Sequence, residues 1–280
     1  MRLFFVSFRK IITSRGFWLC VGMTVLLLFA AEVYTDYSTQ SRYSVFRALT
    51  SFSREELCAH QELCNVMVIQ NARGGWFTLF APIITAFCFV PTMCAEREEN
   101  AIRFQIFRTS KLKYGISEFL SGMISGGTAV ALGYIIFCGA AAVLFPGVSQ
   151  MSGYEAEFLK DITFGFPKLV LGIWLFGAFW SVPAMFLTSV LRNKYLIMCI
   201  PFFAKYALSQ TVQKLSQNAY ADFENVDDAM LKFINTVNPD GLLWMTYAAN
   251  QSAALFFGIT AAVFFAMFII ITQKRGDCGA

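Results

Sequence analysis

Of 280 residues, 57% are hydrophobic and only 14% charged, with 31 phenylalanines. Soluble domains run at about 45–50% apolar and about 25% charged, so this composition excludes an ordinary soluble fold and points to the bilayer. A net charge of +4, with the basic residues in short clusters rather than along a stripe, excludes nucleic acid as a partner.

The first elements follow from periodicity. On a helix over residues 1–16, Phe4, Phe5, Phe8, Ile11 and Ile12 fall on one side and Arg2, Arg9, Lys10, Thr13 and Ser14 on the other, with Leu3 and Val6 breaking the pattern. Aromatic residues opposite basic ones predict a helix lying in contact with membrane lipids at the interface. The competing reading, a signal peptide with Phe17 to Ala31 as its core, is opposed by the length of the run, the missing A-x-A site and the later apolar segments. Six spans are expected: Phe17 to Tyr34, Trp76 to Cys94, Glu118 to Phe145, Phe166 to Leu191, Tyr195 to Gln210 and Gln251 to Thr272. Most reach the roughly 20 residues needed to cross about 30 Å of hydrocarbon. The fifth is short, broken by Pro201 and charged at Lys205.

Between the second and third spans lies a charged island, Ala95 to Gly115, carrying Glu96, Arg97, Glu98, Glu99, Arg103, Arg108, Lys111 and Lys113. Six spans put both termini on one side, together with this island and Arg192 to Lys194. Thirteen Lys and Arg residues then sit on that side, against eight in the longer opposite segments that also hold most of the acids. The positive-inside rule therefore predicts cytoplasmic termini and a cytoplasmic island. The opposite loops, 35–75 and 211–250, are expected outside. N-P-D-G-L-L-W-M-T-Y, at the end of the second, suits the outer interface or a segment dipping back into the membrane. The expected fold is thus all-α, one membrane domain over 1–280, with no soluble domain and no internal repeat.

Eight cysteines form no C-x-x-C and His60 is the only histidine, which argues against a zinc site. Cys58 and Cys64 share a polar loop, where a local disulfide and two free thiols are both open readings. There is no Gly-Lys dipeptide for a phosphate loop, no H-E-x-x-H and no G-x-S-x-G. The chain therefore reads as a non-enzyme, and any ATP with its magnesium belongs to a second protein. Lys205 is the one clear ionisable residue within a span. It either snorkels or lines a wet cleft, or it meets an anionic group of a substrate. Gly122 and Gly126 form a G-x-x-x-G suited to close helix packing, within the chain or between subunits. Pro183 is expected to bend the fourth span.

The residues from Glu96 to Gly122, E-R-E-E-N-A-I-R-F-Q-I-F-R-T-S-K-L-K-Y-G-I-S-E-F-L-S-G, resemble the corresponding segment of permease subunits of type 2 ATP-binding-cassette exporters. Glu96, Arg97 and Glu98 match the acidic E-[RK]-E element, and Ser110-Lys111 resembles a Ser-[KR] pair. Asn100-Ala101 stands where Gly-Thr is usual, and no proline precedes Ser110. The resemblance implies that the segment around Arg108 to Tyr114 is a coupling helix received by a separate ATPase, and that Arg2 to Arg15 is the interfacial connecting helix. It further implies two copies of the ATPase, a second permease chain (identical or related) and a bacterial cytoplasmic membrane. A hydrophobic or amphipathic substrate (peptide, drug or lipid) would move outward. Two other classes remain open: a membrane scaffold or sensor that transports nothing, and an ion-coupled carrier, which the shortage of intramembrane acids opposes.

Overall fold

Ser14 divides the N-terminal apolar stretch in two. Its backbone is extended and its hydroxyl accepts from the Phe17 amide at 3.2 Å, so α1 (Arg2–Thr13) stops and α2 (Arg15–Ala30) starts as a freshly capped helix. The two meet at 58°. The computed structural model describes residues 2–36, 40–99, 109–147, 156–219, 228–244 and 251–274.

The first predicted span runs too far. After Ala30 the chain leaves the helix, and Glu32–Asp36 forms strand β1, paired antiparallel with β2 (Ser41–Ser44). Val33, Tyr34 and Thr35 are strand-favouring residues beside a charged Glu32, and that local chemistry overrides the apolar count. Nor is 35–75 merely a loop. The hairpin is followed by α3 (Val45–Ser51), α4 (Arg54–Ala59), a 3-10 turn (Gln61–Leu63) and α5 (Asn65–Asn71). This small module is tied to the bundle by the Tyr134 hydroxyl on the Ile69 carbonyl at 3.0 Å and by the Asn65 amide on the Pro146 carbonyl at 3.1 Å.

The remaining helices are α6 (Trp76–Glu98), α7 (Lys111–Leu144), α8 (Ala156–Val190), α9 (Lys194–Ala219), α10 (Asp228–Val237) and α11 (Gln251–Lys274). A 3-10 turn at Pro239–Trp244 lies between the last two. Four helices, α6, α7, α8 from Gly165 and α11, are long and apolar enough to cross a membrane. The bent α1 and α2 make a fifth if counted as one span. α9 covers the expected fifth span but does not reach that apolarity: Lys205, Gln210, Gln213 and Lys214 interrupt it. It also continues to Ala219, nine residues beyond the predicted end.

The core lies where α2, α6, α7 and α8 meet, around the fully buried Leu28, Ile84, Phe89, Val130, Phe137 and Phe176. Small residues set the spacing. A Cβ on Gly127 would stand 2.7 Å from the Trp174 carbonyl oxygen of α8, and one on Gly16 would stand 2.6 Å from that of Phe87 in α6. Gly122 and Gly126 receive Met185 and Ser181 of α8, so the G-x-x-x-G packs within the chain. α11 is different. It touches α8 and α7 through ring pairs such as Phe257 with Phe179 and Phe268 with Phe119, yet its most apolar stretch is only 11% buried, against 50–61% for the other three. A helix apolar all round and so little covered requires a lipid environment, so the chain is a helical membrane protein.

Candidate functional site

Three elements converge at the end of α6 that carries the charged island. Glu96, buried in the last turn of α6, accepts from the Lys10 ammonium of α1. Three residues earlier on α1, the Ser7 hydroxyl donates to Glu118 Oε1 of α7 at 2.7 Å, and Glu118 is itself buried. Arg97 points the other way: its guanidinium donates to the carbonyls of Leu191, at 3.0 Å, and Thr188. These carbonyls belong to the C-terminal end of α8, where a cation meets both unsatisfied acceptors and the negative end of the helix dipole. Glu96 and Arg97 therefore bolt α1 and α8 to α6. Their neighbours Glu98 and Glu99 are exposed, beyond the bolted turn.

On the far side of the island, the Ser110 hydroxyl accepts from the Lys113 amide at 3.4 Å and caps α7. Lys111 to Gly115 thus opens a 34-residue helix, so this part of the expected coupling segment is continuous with α7. Tyr114 is buried, Lys111 half-buried and Lys113 exposed. Two lysines in a first turn oppose the helix dipole, at about 0.3–1 kcal/mol each for exposed groups, and no acidic residue accompanies them. Arg103 and Arg108 lie outside the described residues.

α1 presents Phe4, Ser7, Phe8 and Ile11 toward the bundle, with Ile11 buried, Ile12 half-buried and Phe4 stacked on Phe8 at 5.7 Å. Phe5 and Val6, at 63% and 67%, share the open side with Arg9, Lys10 and, beyond the kink, Arg15. Phe5 does not join the bundle-facing side with the other rings; it stays with the basic residues, as suits a helix touching protein on one flank and lipid headgroups on the other. Arg2 is the first residue of the helix.

A second polar cluster lies further along the bundle. Lys205, 1% exposed, donates to Asp240 Oδ1 at 2.5 Å and sits 5.6 Å above the Trp180 ring of α8. A lysine so buried demands such a partner, and the ring face supplies a second favourable field. Arg73 was not singled out by the sequence, yet it is fully buried. Its Nε donates to the Gln70 carbonyl at 3.0 Å and its Nη1 to the Leu243 carbonyl at 2.5 Å. Both cations thus hold the Pro239–Trp244 turn. The anionic group that Lys205 meets in this structure is Asp240 of the same chain, and its side chain is enclosed there.

In the small module, Tyr34, Tyr43, Phe52 and His60 form a ring cluster with centroids 4.9–6.0 Å apart, the Tyr34 hydroxyl lying 3.3 Å from His60 Nδ1. Beside it an open cleft of about 520 Å³ is lined by Glu32, Tyr34, Arg42, Glu62 and Asn71, with Arg42 paired to Glu32 at 3.2 Å. Cys58 and Cys64 are both free thiols in this structure, one of the two readings left open: Cys58 rides on α4, whereas Cys64 is buried at the start of α5. Burial pushes the Cys64 thiol up, away from reactive thiolate chemistry. Among the described residues, no group of three or more His, Cys, Asp or Glu side chains could hold a metal ion. No family model, curated protein or solved structure matches the chain.

Proposed function

We propose that this chain is the membrane subunit of an ATP-driven exporter of the ATP-binding-cassette type. It works as a dimer with itself or a related chain, and receives its force from a separate ATPase that holds ATP and magnesium. The observation that carries the reading is the junction at Glu96 and Arg97. The segment that resembles a coupling region is bolted by side chains to an amphipathic helix on one flank and to the end of α8 on the other. A push delivered to the exposed Glu98, Glu99 and Lys113 and the half-buried Lys111 would pass into α1, α6, α7 and α8 together instead of being absorbed by a loose loop. Both termini and the island are assigned to the cytoplasm by the charge distribution. The crossing of α9 and the re-entry of 239–244 complete a six-span arrangement in a bacterial cytoplasmic membrane.

Substrate is assigned only by class, a hydrophobic or amphipathic molecule moved outward between two such chains. The test is purification of the chain from its native membrane under mild detergent, followed by a nucleotide-hydrolysis assay. Co-purification of an ATPase whose activity responds to hydrophobic compounds is expected. A folded chain that never carries an ATPase contradicts the reading and favours a scaffold or sensor, for which the small folded module with its ring cluster is the supporting observation.

A further inference from the structure

We infer that Pro239–Trp244 is a preformed latch, held shut by Lys205 and Arg73, and that it forms the outer gate of the exporter; the gating part rests on the function proposed above. The turn is braced by its own hydrogen bonds: the Asp240 amide donates to Asn238 Oδ1 at 3.1 Å and the Gly241 amide to the Asn238 carbonyl at 3.0 Å. It therefore moves as a unit. Leu242 and Leu243 are buried at 2% and 1%, so docking this turn also closes an apolar seal.

Position makes the latch unusual. Lys205 lies eleven residues beyond the start of α9 at Lys194, and Trp180 ten residues before the end of α8 at Val190. At 1.5 Å per residue both stand about 15–17 Å from the same end of the bundle, roughly half the thickness of a bilayer core. Asp240 is thus held about half a bilayer thickness in from the adjoining ends of α8 and α9. The pair is also asymmetric: the Lys205 side chain is 2% exposed and that of Asp240 28%. Aspartate can withdraw toward water, leaving the lysine against the Trp180 ring, which still offers a cation a favourable face. Arg73, from the segment just before α6, holds the other end of the turn by the Leu243 carbonyl.

The latch is linked to the cytoplasmic junction through one helix. Arg97 grips the Thr188 carbonyl of α8, and Trp180 lies eight residues earlier on the same helix, about 12 Å away. Displacing the end of α8 displaces the ring under Lys205. A link of this length needs only a rigid helix with two docked positions.

The experiment is amide hydrogen exchange on the full-length chain in lipid nanodiscs, read at Asp240 to Trp244. Asp240→Asn is expected to speed exchange there at least tenfold while α6 and α8 stay as in wild type. The apolar pair Lys205→Met with Asp240→Leu is expected to restore protection to within about threefold of wild type, because well-packed apolar residues can replace a buried ion pair. Arg73→Lys keeps charge but gives up part of the guanidinium hydrogen bonding, and is expected to speed the same amides about threefold. It keeps the question answerable if Asp240→Asn does not fold. Wild-type exchange in whichever of these single variants fold, or acceleration spread equally over α8, overturns the latch. No nucleotide or ATPase enters this comparison, so its failure is separate from failure of the exporter reading. In the ATPase complex, ATP with vanadate is expected to speed the same amides in wild type; unchanged exchange there overturns the gate and leaves a static brace.

Discussion

Replacing Lys10 with methionine should damage the protein more than replacing its partner Glu96 with glutamine. The Glu96 side chain is 7% exposed and that of Lys10 is 48% exposed. Removing one partner of a buried pair costs roughly 3–5 kcal/mol when the remaining charge cannot reach water. Lys10→Met leaves a buried carboxylate in that position, and the half-exposure of the lost lysine reduces the expected cost to about 2–3 kcal/mol. Glu96→Gln instead releases a lysine that rehydrates, at about 0.5–1 kcal/mol. Thermal unfolding in nanodiscs, followed by circular dichroism, converts these at about 2–4 °C per kcal/mol for chains of 150–250 residues. At the lower end of that range, suited to a longer chain, Lys10→Met is expected to lower Tm by about 4–6 °C and Glu96→Gln by about 1–2 °C. The double variant should resemble Glu96→Gln alone, since the two residues share one interaction. Equal shifts, or a larger loss for Glu96→Gln, would refute the burial argument.

Three further outcomes are expected. Arg97→Ala gives up two charge-assisted hydrogen bonds to the end of α8, so its last turn should fray. Hydrogen exchange near Leu191 and a Tm loss corresponding to about 2–4 kcal/mol check this. Gly127→Ala should destabilise by about 1–3 kcal/mol because its methyl meets the Trp174 backbone, whereas Gly139→Ala, with open space around it, should be near neutral. Glu56 closes a capping box on α4, its carboxylate accepting from the Ser53 amide at 2.7 Å; these hydrogen bonds hold its pKa below the usual carboxylate value. A depressed folded pKa contributes stability above the unfolded value, so α4 should be best protected near neutral pH. It should lose protection as pH falls through the carboxylate range, and amide exchange at Ser53 from pH 7 to 3 checks the sign.

Local signals were legible in the sequence and long-range ones were not. The amphipathic face of α1 and the apolar runs of α6, α7, α8 and α11 are written in periodicity, and Ser110 carries a cap signature that its place before Lys111 makes readable. The outer module escaped because its strands and helices are four to seven residues long, shorter than the window in which periodicity shows. The S-x-x-E of Ser53 and Glu56 was the one signal that could have revealed a helix there. Glu96 and Arg97 stand out in the charged island, but their partners lie 86 and 91–94 residues away. Asp240 follows Lys205 by 35 residues, beyond the reach of any local pattern. Arg73 offered no signal at all: an arginine beside two glycines before a span reads as a surface turn, and only the docking of Leu243 encloses it.

The proposed exporter function requires that force enter at the charged island. The deciding measurement is ATPase retention by the purified chain, comparing wild type with Lys111→Glu/Lys113→Glu, each shown to be folded by circular dichroism. An ATPase held by the wild type at one copy per chain, and released by the double reversal but not by Lys205→Met, is the predicted result. An ATPase held equally by all three, or by none, contradicts it.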